Sequence, residues 1–508
     1  MVDDALMEIN QFWRQWRAAM VAGLLVVFPL MLSVDRYIDD IDRSMYGRMN
    51  WDRAGRPLAD WLFSVVNFGK PAVAVAPLYT MGGLAVLALA GVSLARAYGL
   101  RSPFWIALAT VPLMAQPYGL QNLSYGFDAL GMSLALALGV IAALLVQAGR
   151  RWWLFVAAVA ALAVACSLYQ PGANGFIPCA GFLLMAAGLK LLVPPWAALS
   201  LGDRAWRSVA AYALGLGLYR GVNALWFDHR LTSYASDGAR FKPLNAAGLH
   251  DLLHDVVQPW AQIAADFGRW PVVFPLVLML VTSVVLLMRL LPPHQAAFAV
   301  LAGLAIALMS PGALLAIQDT FLHKPRVMAF LGPLLMSLVL MIVRASAKAG
   351  WPALRWSVVP MAWLLVVFAY AYGHAFAAQA TFEQGRLSRL IAQVSALQAD
   401  DPARPIRRVA VVGVMPRSPV LINTARKFPL IDRLIPPLLD QNWTFGISQL
   451  ALHGLPLERV EVPTDRVVDP SPCRASADQR CSSEVQLERF GQDAVLIHLM
   501  PSGSPDLR

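Results

Sequence analysis

Phe127-Asp128-Ala129-Leu130-Gly131-Met132-Ser133-Leu134-Ala135-Leu136-Ala137-Leu138-Gly139-Val140-Ile141-Ala142-Ala143-Leu144-Leu145-Val146-Gln147-Ala148 is apolar almost throughout, with Asp128 its one charge. A helix crossing a bilayer needs about 20 mostly apolar residues, and this stretch supplies them. Runs of the same kind recur on either side, at about 17–34, 72–95, 103–117, 152–169, 173–193, 206–222, 271–291, 295–317, 327–346 and 356–377. That makes about eleven, of which 103–117 and 152–169 are short. An unpaired backbone group in hydrocarbon costs several kcal/mol, so the runs are expected to be helices rather than open strands.

Composition agrees. Of 508 residues, 58% are hydrophobic and 14% charged, against about 25% charged in soluble proteins, and the mean hydropathy is +0.56. A soluble enzyme, a disordered chain and a nucleic-acid binder are excluded, despite a net charge of +10. In a membrane protein such a surplus points to loops facing the cytoplasm or anionic lipid. The expectation is an all-α polytopic membrane domain over 1–378, followed by a small extracytoplasmic α/β domain over 379–508.

Asp3, Asp4 and Glu8 precede the first span and no small-x-small site follows Leu32-Ser33-Val34-Asp35, so it reads as an uncleaved anchor. Arg14, Arg17, Arg96, Arg101, Arg150, Arg151, Lys190, Arg204, Arg207, Arg289, Arg344, Lys348 and Arg355 fall on one side of the alternating reversals, whereas the short reversals at 118–126 and 170–175 have no Lys or Arg. The amino terminus is therefore expected in the cytoplasm and the tail outside. Between Glu8 and Glu383 there is no Glu, and of the Asp residues only Asp203 falls on the inner side. Any chemistry is expected on the outer face, in the first loop (35–70) or the long loop (223–270). In the latter, Ala246 to Val257 has helical spacing suited to lying along the membrane surface; His250 and His254 lack a third metal ligand.

In the tail, Phe382, Leu387, Leu390, Ile391, Val394 and Leu397 have helical spacing, while Val409-Ala410-Val411-Val412-Gly413-Val414 and Ala494-Val495-Leu496-Ile497 read as strands. Cys473 and Cys481 close a short loop suited to a disulfide in an oxidising compartment, or remain two thiols. Cys166 and Cys179 read as small core residues, and no Cys/His cluster has metal-site spacing.

After the first span comes Asp35-Arg36-Tyr37-Ile38-Asp39-Asp40-Ile41-Asp42-Arg43-Ser44-Met45-Tyr46-Gly47-Arg48-Met49-Asn50-Trp51-Asp52-Arg53-Ala54-Gly55-Arg56-Pro57-Leu58. Crowded carboxylates at a membrane surface repel one another, which raises the pKa of at least one and suits general-base work. Interleaved arginines suit phosphate oxygens. A solvated loop with internal salt bridges is the plain alternative.

Tyr37-Ile38-Asp39-Asp40, Arg43, Gly47, Trp51 and Gly55-Arg56-Pro57-Leu58 after a first span resemble the glucosyl transferase II family of O-antigen-modifying, serotype-converting enzymes. Phe127-Asp128-Ala129-Leu130-Gly131-Met132 is similar to that family's Phe-Asp-Ser-Leu-x-Met segment, with Ala129 in place of Ser. Tyr169-Gln170 and Pro325-Arg326 are further matches, and the resemblance runs from about 20 to 350. It implies a GT-C glycosyltransferase of the bacterial inner membrane, moving a sugar from a polyprenyl-phosphate donor to a glycan acceptor such as O-antigen on the outer side. By that resemblance Asp39 or Asp40 is the general base, with Asp128 sharing the role or binding hydroxyls. Arg43, Arg56, Lys324 and Arg326 neutralise the donor phosphate, and Tyr37, Trp51, Tyr169 and Gln170 contact sugar or acceptor. No cofactor is expected, although Asp39 and Asp40 would also serve a divalent ion.

Each assignment has a plain counterpart. Arg56 stands one turn before Asp60 and would pair with it; Asp128 would cap the fourth helix; Tyr169-Gln170 would be an interfacial aromatic and a helix stop; Trp51 would anchor at the interface; His323 would be solvated. A lipid-linked glycan transporter or flippase would place ionisable groups mid-span and show repeats or broken helices; no Asp or Glu stands mid-span and no internal repeat is evident. A polymerase or ligase would use a large late outward loop.

Overall fold

The computed structural model describes residues 2–500 except 34–35, 238–239, 319–320, 442–444, 463–478 and 483. In chain order its helices are α1 (Val2–Ser33), α2 (Asp39–Tyr46), α3 (Pro57–Val66), α4 (Leu78–Ala97), α5 (Pro103–Ala115), α6 (Leu120–Ser124), α7 (Ala129–Gln147), α8 (Trp152–Leu168), α9 (Phe176–Gly188), α10 (Leu201–Trp226), α11 (Ser233–Asp237), α12 (Ala246–Phe267), α13 (Phe274–Leu290), α14 (Pro293–Met309), α15 (Leu331–Lys348), α16 (Val359–Asp400), α17 (Pro419–Lys427), α18 (Leu430–Leu434) and α19 (Phe445–Leu452). The strands are β1 (Arg408–Val412), β2 (Glu458–Arg459), β3 (Gln479–Cys481), β4 (Val485–Phe490) and β5 (Ala494–Leu499). Each apolar run coincides with a helix. Among the described residues, five helical segments are long and apolar enough to cross a membrane: Leu6–Ser33, Leu78–Ala97, Ala129–Gln147, Pro325–Lys348 and Pro352–Asp400. The protein is a helical membrane protein with a small sheet.

The chain divides into two compact units: Met1–Leu32 with Met49–Tyr372, and Ser33–Arg48 with Gly373–Arg508. The loop after α1 is thus shared, its Asp39–Asp40 part grouping with the tail and its Trp51–Arg56 part with the helices.

In the first unit α7 is the central helix, packed by α4, α8 and α9. A helix apolar on every side is a buried one, and small residues let its neighbours approach closely. A Cβ on Gly139 would lie 2.9 Å from the Gly172 carbonyl oxygen, and one on Gly172 would lie 2.6 Å from Ala135 Cβ. At one end of the bundle, Glu8 pairs with Arg96 and Arg101, Arg150 with Asp203, and buried Arg204 donates to Gln147 Oε1. Lys348 Nζ donates to the Leu189 carbonyl at 2.6 Å. The opposite helix ends bring together residues 51–60, 121–128, 169–175, Tyr219 and 325–330.

In the second unit the sheet order is β2-β1-β5-β4-β3. β1 runs parallel to β2 and β5, while β4 is antiparallel to β5 and β3. The helical spacing of the tail is observed as the second half of α16, whose Leu387, Leu390, Val394 and Leu397 are buried with Val409, Val411, Val495 and Ile497. At 1.5 Å per residue, 42 residues span roughly 63 Å, about twice a hydrocarbon core, and the apolar run ends near 377. The segment from Glu383 onward therefore lies beyond the spanning part of α16. Cys473, one half of the expected Cys473–Cys481 disulfide, lies outside the described residues.

Candidate active site

The first constellation is built on the turn before α3. Gly55 has φ +70°, the left-handed conformation that glycine adopts freely, and a Cβ there would meet Gln170 Nε2 and Tyr219 Oη at 3.2 Å. That close approach lets Gln170 Nε2 donate to the carbonyls of Ala54 (3.1 Å) and Gly55 (3.2 Å) and to Tyr219 Oη (2.9 Å). Tyr219 Oη in turn donates to the Gly55 carbonyl at 2.9 Å. Pro57 then occupies the first turn of α3, where a missing N–H costs nothing.

The loop is held from below by Trp51, which is 1% exposed and stacks on Phe63 with ring centroids 4.6 Å apart. Its backbone N–H donates to Asp60 Oδ1 at 2.8 Å and its indole Nε1 to Asp128 Oδ1 at 2.8 Å. The same Asp128 oxygen accepts from Arg56 Nη2. Arg56 Nε donates to the Leu168 carbonyl at 3.0 Å, and its guanidinium carbon lies 5.4 Å from the Tyr169 ring centroid. With side chains 12% and 3% exposed, the Arg56–Asp128 pair is largely removed from water, so loss of one partner would strand the other's charge.

A second arginine joins through Tyr169, whose Oη donates to the Arg326 carbonyl at 3.0 Å. The Arg326 N–H donates to Gln121 Oε1 at 2.7 Å, and its Nη1 to Tyr125 Oη at 2.5 Å. Two guanidinium groups on tyrosine faces, tied through backbone and side chain to the 121–128 and 168–169 segments, make a cationic locus suited to a phosphate.

Several plain readings are corrected. Arg56 pairs with Asp128 rather than Asp60, because Asp60 accepts from the Trp51 amide. Asp128 stands at the start of α7 but makes no side-chain cap; the backbone carbonyl of Tyr125 accepts from the Ala129 N–H instead. Trp51 neither offers a ring face at the surface nor anchors at an interface, since its ring is buried against Phe63. The helix stop is observed, α8 ending at Leu168, but Tyr169 and Gln170 are also bonded into the constellation. Lys324 Nζ lies 4.6 Å from the Phe321 ring centroid, and His323 is exposed. Gln121, Tyr125 and Tyr219 were not singled out by sequence; the first two lie in a reversal lacking Lys and Arg, and nothing in the sequence marks Tyr219.

Tyr37, Asp39, Asp40 and Arg43 belong to the other unit. Ile38 has φ +47°, strained for a β-branched residue, immediately before α2. Asp39, Asp40 and Asp42 then fill the first turn of α2, where the helix dipole favours negative charge. Asp40 is 2% exposed and its Oδ2 accepts from the Tyr37 N–H at 3.2 Å. Tyr37 Oη donates to the Leu434 carbonyl at 2.6 Å, and Arg43 Nη1 donates to the Arg48 carbonyl at 3.0 Å. Among the described residues, no three His, Cys, Asp or Glu side chains gather as a metal-holding group.

The family Glucosyl transferase GtrII matches residues 28–337. A protein of Salmonella phage P22, described as an uncharacterized 55.3 kDa protein in the gtrB 5' region, is 30% identical over 154 residues, 30% of this chain and 32% of that protein. The chain thus spans about a third of the length of the curated relative it matches. No solved structure matches it. Because the family match takes in every segment that converges on Arg56 and Asp128 and extends over more than half of the chain, the protein belongs to the glucosyl transferase GtrII family.

Proposed function

We propose that the protein is a membrane glycosyltransferase that moves a hexose, glucose by the family's name, from a polyprenyl-phosphate carrier to an O-antigen or other surface glycan outside the bacterial inner membrane. The observation behind this reading is the buried Arg56–Asp128 pair, bonded to Trp51 and linked through Tyr169 to Arg326. In the reaction an acceptor hydroxyl oxygen attacks the anomeric carbon, the carbon–oxygen bond to phosphate breaks, and polyprenyl phosphate leaves with the bonding pair. Arg56 and Arg326, assisted by Lys324, complement the charge that develops on the leaving phosphate.

The hydroxyl proton passes to Asp39 or Asp40. Asp128, whose Oδ1 already accepts from Trp51 and Arg56, acts as a positioning residue for Arg56. The test compares wild type, Asp39→Asn and Asp40→Asn in membranes supplied with radiolabelled polyprenyl-phosphate glucose. Wild-type transfer into glycan, lost in at least one well-inserted variant, supports the donor and the base together. Transfer undiminished in both variants overturns the base assignment, and no transfer from this donor by wild type overturns glucose as the sugar.

A further inference from the structure

Within the second unit lies a cavity of about 190 Å³. Its polar lining includes Arg36, Gln379, Glu383, Gln384, Gln449 and His453. Ile38 and Ile41, on either side of Asp39–Asp40 in the chain, contribute apolar wall together with Phe376. The cavity therefore adjoins the turn that bears the proposed base.

Three features of the lining narrow the class of ligand. The amides of Gln384 and Gln449 each offer donors and an acceptor, as a sugar hydroxyl does. Gln449 Oε1 is buried with no hydrogen-bond partner among the described residues, uncommon for an amide oxygen and the condition expected of a group that bonds a ligand. Glu383 is 3% exposed and Gln379 Nε2 donates to its Oε1 at 2.8 Å. Burial pushes the Glu383 carboxyl up to about 7, against the opposing pull of Gln379 and Arg417, so near neutrality it too donates as well as accepts. Arg36 and the Glu383 carboxyl offset one another in the lining, and the polar groups stand among apolar walls, so the ligand needs both hydrogen-bonding groups and an apolar face. A pyranose meets both requirements, with hydroxyls for the amides and a C–H face for the isoleucines and Phe376.

We propose that this cavity seats the glycan acceptor, holding one neutral pyranose unit beside the Asp39–Asp40 turn. The proposal rests on the transferase reading above and adds to it where the acceptor lies. Gln449→Leu and, on the exposed rim, Gln384→Ala are the probes. Among the described residues neither side chain makes a hydrogen bond that its replacement would break, so folding is expected to survive.

Two readouts separate the cavity from the transferase reading. Equilibrium dialysis of end-labelled O-polysaccharide fragments against the purified full-length protein in nanodiscs reads binding without turnover, and is expected to show about tenfold weaker binding in Gln449→Leu. Steady-state transfer is expected to show a matching rise in acceptor KM with donor KM unchanged. Fragment binding lost in the variants upholds the cavity even where no sugar is transferred. Active variants with unaltered acceptor KM and unaltered fragment binding overturn it while leaving the transferase reading intact. Competition by inorganic phosphate or polyprenyl phosphate for the fragment would likewise overturn it, since the occupant would then be an anion.

Discussion

Asp128 Oδ1 receives both the Trp51 indole and Arg56, so a single oxygen fixes the loop that presents the guanidinium. Asp128→Asn keeps the shape but removes the charge that holds Arg56. Donor kcat/KM is expected to fall by about two to three orders of magnitude, as when one electrostatic donor is lost from a preorganised site, with acceptor KM unchanged in the transfer assay. Arg56→Lys is expected to do similar damage, because an ammonium cannot bond Leu168 and Asp128 together as the planar fork does. Glu383 gives a pH signature instead. A carboxyl raised from 4.5 to about 7 by burial binds more protons folded than unfolded, so stability is greatest at low pH and falls as pH rises from about 4.5 towards 7. At 1.36 kcal/mol per pH unit the loss is on the order of 3 kcal/mol. Thermal unfolding between pH 5 and 8 is expected to show this slope in wild type and its flattening in Glu383→Gln.

At the scale of elements, the crossing of α7 with the 170–175 turn sets where Tyr169 and Gln170 stand. A Cβ on Gly172 would lie 2.9 Å from the backbone of Ala135 and Leu136, atoms of a buried helix that cannot swing aside. Gly172→Ala is expected to cost about 1–3 kcal/mol and to displace Gln170 from the Gly55 turn. A lower melting midpoint together with reduced transfer would show this, whereas a variant that melts and transfers like wild type would show the crossing to be loose. Sequence periodicity placed these elements but underestimated some of them. The helix expected over Ala246 to Val257 runs to Phe267, past Pro259, and the last apolar run and the tail helix are one continuous α16.

At the scale of the molecule, the reversals rich in Arg and Lys and those without them lie at opposite helix ends of the first unit. The positive-inside rule assigns the basic end to the cytoplasm. Alkaline phosphatase fused after Gly149 is therefore expected to be inactive, and the same reporter fused after Asp400 active. The reverse pattern would place the Arg56–Asp128 constellation on the cytoplasmic side and remove an external glycan as acceptor.

The apolar runs, the charge alternation and the motif residues were legible in the chain because each depends on local composition or on the period of a single element. They determined a helical membrane protein, the helices themselves, and the family. Which motif residues meet was decided only by tertiary structure. Asp128 and Arg56 are 72 residues apart and join across α3 and α7, and Tyr125 and Arg326 are 201 residues apart; no local pattern encodes such pairings. Likewise only packing showed that Trp51 is buried, that Asp39–Asp40 groups with the tail rather than with Arg56, and that Glu383 lies beside a cavity. Burial and partnership arise from the whole chain's close packing, whereas helix formation in an apolar run follows from each backbone group's need for a nearby partner.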